Sequence, residues 1–151
     1  MRLNSVFLIV SALLLINSQA SAEKKPMMIS QDTVLQVLVI ADTKISVESP
    51  QVVLNPSVIQ LADNSDMLPD YCLLNARGSF DSGQFHLKPG TLVCVTDDKR
   101  ILEGSVQGSF DGLKSCNNCT EVNLMSGLQF TLSLENDLEL GLQIRADGQQ
   151  Q

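Results

Sequence analysis

The chain has 151 residues, 44% hydrophobic and 18% charged, the makeup of a single folded domain. Its 10 Lys and Arg stand against 17 Asp and Glu, a net charge of −7, so neither nucleic acid nor an anionic membrane is attracted to its surface. One His, no Trp, one Tyr and five Phe nearly exclude a His-based metal cage or an aromatic base-stacking platform.

Residues 1–22 have the three parts of a secretory signal peptide. Arg2 supplies the positive start, residues 6–16 are apolar but for Ser11, and Ala20-Ser21-Ala22 is a small-x-small cleavage site. The apolar stretch is shorter than the roughly 20 residues that cross a bilayer. The expectation is therefore export and cleavage, with a mature chain starting at Glu23. Loss of Arg2 leaves 9 basic against 17 acidic residues, a charge of −8. Residues 23–31, with Lys24-Lys25-Pro26 and little periodicity, read as a flexible leader. Residues 32–146 read as one β domain, and 147–151 as a disordered tail.

Within the domain, residues 33–40 are β-branched and almost continuously apolar, the pattern of a strand buried on both faces. Strand-like runs follow at 44–48, 51–54, 57–61, 71–77, 84–87, 91–96, 100–107, 120–124, 128–134 and 138–144. Turn signals separate them: Ser49-Pro50, Asn55-Pro56, Ser82-Gly83, Lys88-Pro89-Gly90, Asp97-Asp98-Lys99 and Asp111-Gly112. No run carries a sustained 3.6-residue apolar stripe. The fold class is all-β, a small antiparallel β-barrel or β-sandwich. Gly78-Ser79-Phe80-Asp81 recurs as Gly108-Ser109-Phe110-Asp111, read as two similar strand ends entering turns.

Four cysteines, Cys72, Cys94, Cys116 and Cys119, lie in the exported part, and an even number in an oxidising compartment reads as disulfides. Of three connectivities, Cys72–Cys94 with Cys116–Cys119 is favoured because each pair sits in one local segment. The first would close a loop worth roughly 3 kcal/mol by chain entropy. The spacing of Cys116-Asn117-Asn118-Cys119 also occurs in redox proteins, where the first Cys opens a helix whose dipole lowers its pKa; no helix is legible here. A four-thiolate zinc site is disfavoured by export and by the wide 72-to-94 spacing.

Other polar residues do not assemble into chemistry. His86, with Asp81 and with Ser79 or Ser82 as an imagined nucleophile, lacks the fixed geometry a triad needs. Asp63, Asp66 and Asp70 do not follow calcium-loop spacing, and Asp137 and Glu139 read as solvated strand-end charges. Asn118-Cys119-Thr120 is a glycosylation sequon. The expectation is a non-enzyme without cofactor or metal.

One family resemblance is carried by the cysteine strands. Residues 68–80, with Leu68-Pro69-Asp70-Tyr71-Cys72-Leu73-Leu74 running into Gly78-Ser79-Phe80, followed by 91–108 with Cys94 before a charged turn, resemble the TraB/TrbI family of type IV secretion proteins. Residues 35–42 are similar to that family's opening barrel strand, and 122–134 with Asp137-Leu138 to its closing strand. The resemblance covers residues 33–140. It implies a shortened relative without the family's membrane anchor, its Pro-rich stretch or its pore-lining helical pair. On this reading the chain is a periplasmic structural or accessory component of a conjugative, type IV secretion-like envelope complex. It would contact other envelope proteins through strand edges and apolar rims, with association to the outer membrane through partners and oligomerisation both compatible. Met67, Leu68 and Met125 are candidate contact residues. The alternative is a periplasmic module binding a small ligand or peptide, and a thiol oxidoreductase using Cys116 and Cys119 ranks third.

Overall fold

The computed structural model describes residues 25–143; the expected signal peptide and the expected disordered tail lie outside them. Every regular element among these residues is a strand. In chain order they are β1 (Met27–Ile29), β2 (Val34–Val39), β3 (Thr43–Ser46), β4 (Gln51–Gln60), β5 (Tyr71–Asp81), β6 (Gln84–Val95), β7 (Ile101–Ser105), β8 (Gly108–Asp111), β9 (Glu121–Leu124), β10 (Gln129–Leu134) and β11 (Leu138–Leu142).

Nine strands form one antiparallel sheet in the order β1-β11-β7-β6-β5-β4-β2-β10-β8, and β3 pairs with β9 in a separate ribbon. The large sheet curls into a half-barrel, bringing β8 near the first half of β6. Period-two alternation sets the inside. On β5, Cys72, Leu74, Ala76 and Gly78 are buried while Tyr71, Leu73, Asn75 and Arg77 are exposed. Leu35, Val37 and Val39 of β2, Leu54 of β4, Leu92 of β6, Leu132 of β10 and Leu140 of β11 fill the same interior. The β3–β9 ribbon adds Ile45 and Leu124 to it.

Several sequence expectations change. Residues 23–31 are not a uniformly flexible leader: Met27–Ile29 pairs with Leu138–Leu140. Ile29 is fully buried, so one apolar side chain ties this stretch to the core. Strand 33–40 is not buried on both faces; Val34, Gln36 and Leu38 are half-exposed.

Two expected turns lie inside long strands, each with a proline at an irregular position of the pairing. Pro89 falls at a bulge, since Leu74 opposes Leu92 and Ala76 opposes Pro89, leaving an extra residue on β6. Asn55-Pro56 lies mid-β4, where pairing with β5 ends but pairing with β2 continues. The true hairpin turn is Ser82-Gly83. Its φ values of 50° and 78° are both positive, as a tight two-residue connection requires.

Candidate functional site

The interior of the half-barrel is packed rather than hollow, lined by Leu, Ile and Val side chains excluded from solvent. Surface features are therefore where function can reside.

The cysteines come first. Cys72 and Cys94 are directly opposed on β5 and β6 and form a disulfide on the buried face. Cys116 and Cys119 form the second disulfide, so the pairing read from sequence is the one found. That second bridge closes the loop before β9. The loop is held to the β5–β6 hairpin by the Cys119 N–H donating to Gly83 O and by a bridge between Asn117 and Gln84. No helix starts at Cys116, unlike the redox arrangement in which the first Cys opens one.

The polar candidates are dispersed. Ser79 faces His86 across the β5–β6 pair, and Asp81 faces Gln84, yet no hydrogen bond joins the serine, histidine and aspartate side chains. Asp66 is a tether: its carboxylate accepts from Met28 N–H at 2.8 Å while its own N–H donates to Met28 O at 2.8 Å. Asp137, expected as a solvated strand-end charge, is exposed and also accepts from Gln31 N–H at 2.8 Å. Among the described residues no group of three His, Cys, Asp or Glu side chains is placed to hold a metal ion.

The contact candidates divide. Met67 and Met125 are exposed, at 70% and 69%, whereas Leu68 is only 7% exposed. Leu68 cannot serve as a surface contact; the loop turns it inward into the core cluster, where burial of its side chain is worth about 2 kcal/mol. Met125 lies close along the chain to Leu128, and Ser126 binds Asp42 and Ile40 O, so Ile40, Met125 and Leu128 form a small exposed apolar tip.

Sequence reasoning missed the larger feature. One end of the outer face of the central strands carries an apolar row. Tyr71, 72% exposed, opposes Val95, which opposes Ile101; Leu73, 50% exposed, opposes Val93. Val53 on β4 is exposed and opposes Asn75, which puts it diagonally next to Leu73, within side-chain reach. The signal was present in Val52-Val53, Leu73-Leu74 and Val93-Cys94-Val95. Adjacent apolar residues on a strand must serve both faces, and the inner face holds only one of each pair.

No family model and no curated protein matches the chain. No helix among the described residues is long and apolar enough to cross a membrane. Two disulfides suit an oxidising, exported environment.

Proposed function

We propose that this domain works by protein–protein contact, as a periplasmic structural or accessory component of a conjugative, type IV secretion-like envelope complex. The observation that carries the contact reading is the exposed apolar row Val53, Leu73, Tyr71 and Val95 across β4, β5 and β6. An apolar patch on a sheet whose other face is already packed has no role in its own core and is the usual mark of an interaction surface. The filled interior and the open edges at β1 and β8 support assembly over enclosure of a small ligand. Assignment to the secretion complex rests on the resemblance of the cysteine strands.

The test is affinity purification of the tagged protein from its native envelope, with mass spectrometry. Wild type should recover secretion-channel subunits, and a Leu73→Asp, Tyr71→Asp variant should lose them by at least tenfold while keeping its fold. A solitary monomer from wild type would remove the assembly reading. Partners unrelated to secretion would keep the contact role and remove the complex.

A further inference from the structure

A second surface, separate from the apolar row, is defined by main-chain chemistry. Gly78 N–H donates to Pro50 O at 2.7 Å. Main-chain groups of alternate strand residues point to opposite sides, so the even-numbered residues of β4 up to Val58 aim theirs at β5; an extra residue, Ile59, then shifts the register, and Gln60 pairs with Val34 of β2. Val52 opposes Ala76 and Leu54 opposes Leu74; Pro56 would be next, and it has no N–H to give. Asn55 compensates by donating from its side-chain amide to Cys72 O at 3.0 Å. Beyond that point β4 and the approach to β5 diverge. The facing stretch, residues 67–70, contains Pro69 and is not a strand. Val58 is thus left with β2 on one side and no strand on the other.

The gap is a groove lined by Ser57, Val58, Ile59, Met67, Pro69 and Asp70. Ile59, Leu61 and Met67 are exposed on its rim, and buried Leu68 closes its floor. Asp70 is the charged residue of the lining, and Asp63 and Asp66 stand on the same loop. Two cations, Lys25 and Arg100, line a neighbouring groove that also includes Met67, and Arg100 is paired with Asp98 at 2.6 Å.

We propose that the splayed half of β4 receives an extended, basic segment of a partner polypeptide as an added strand. Val58 N–H and C=O would exchange hydrogen bonds with the incoming main chain, the mode by which open sheet edges recruit peptides. Apolar side chains of the segment would cover Ile59, Leu61 and Met67, and a Lys or Arg would meet Asp70. The proposal rests on the contact reading above and names the class of partner. The net charge of −7 favours the same sign of partner through steering.

The test uses the full mature chain, isotopically labelled, with a synthetic peptide of alternating Val, Thr and Lys as probe. Hydrogen exchange at Val58 should slow about tenfold or more on binding, as it does for an amide entering a ladder. Replacing Lys by Glu in the peptide, or N-methylating its alternate amides, should weaken binding by roughly tenfold. Val58→Pro should abolish binding; if that variant fails to fold, Asp70→Lys should instead reverse the preference toward the Glu peptide. Absence of binding, or protection gained at β1 or β8 in place of Val58, overturns the proposal. So does concentration-dependent dimerisation abolished by the same substitutions, which would make the occupant a second copy. Because the apolar row is untouched by these changes, recovery of envelope partners that is lost only in the Leu73→Asp, Tyr71→Asp variant would sink the groove and leave the contact reading standing.

Discussion

At Gly78 an added Cβ would lie 2.5 Å from Ile45 Cγ2 and 2.8 Å from the Phe85 ring, well inside van der Waals contact. Glycine here lets the β3–β9 ribbon settle on the inner face of β5, with Ile45 fully buried. Gly108 meets the same demand, its hypothetical Cβ 2.3 Å from Ser133 O. In each copy of the repeated Gly-Ser-Phe-Asp the phenylalanine then packs on a second ring, Phe80 on Phe85 and Phe110 on Phe130. The repeat therefore reflects one local solution used twice, a close backbone approach followed by an aromatic contact. Gly78→Ala should cost about 1–3 kcal/mol, the range for overpacking a filled site, read as a lower urea midpoint with an unchanged slope.

Among the elements, β1 best separates what the sequence encodes from what the fold supplies. Strand runs with clear alternation, such as 128–134 and 71–77, were legible because one face had to be buried. So was the cysteine pairing, because each pair sits within one local segment of the chain. Met27–Ile29 was not legible: three residues carry no period, and its stability comes from Leu138–Leu140 and Asp66, distant in sequence. Prolines misled in the opposite direction. Pro56 and Pro89 look like turn residues, but one sits where a ladder ends, with the Asn55 amide supplying Cys72 O, and the other at a bulge. Of the contact residues, exposed Met67 and Met125 were readable as loop apolars, while buried Leu68 was not, since the inward turn of its loop is tertiary. Asp66→Ala should raise hydrogen exchange at Met28 and cost about 1–2 kcal/mol, the range for a charge-assisted bond to main chain. Ile29→Ala should cost about 2–4 kcal/mol by leaving a cavity. Equal exchange at Met28 in wild type and Asp66→Ala would show that β11 alone holds the strand.

On the scale of the whole molecule, the half-barrel is an open sheet that other parts of the described chain brace. β1 seals one edge of β11, the β3–β9 ribbon covers the inner face near Gly78, and the Cys116–Cys119 loop ties the β8 side to the β5–β6 hairpin. The Cys72–Cys94 bond spans 22 residues in the middle of this arrangement. Its removal, by a Cys72→Ala, Cys94→Ala variant, should lower unfolding free energy by about 2–4 kcal/mol, measured by denaturant titration against wild type. The half-buried 116–119 bridge encloses so little chain that its loss should matter less to global stability; a larger effect than that of the Cys72–Cys94 bond would reverse this assignment.

The placement of the buried bond reaches further than stability. Tyr71 and Leu73 flank Cys72 along β5, and Val93 and Val95 flank Cys94 along β6, so the sulfur rung lies directly behind the apolar row. An oxidising surrounding thus stiffens that patch before any partner arrives, and ordering already completed need not be charged against association. Under the contact role proposed above, reduction of this bond would leave the same side chains on a looser backing and weaken association.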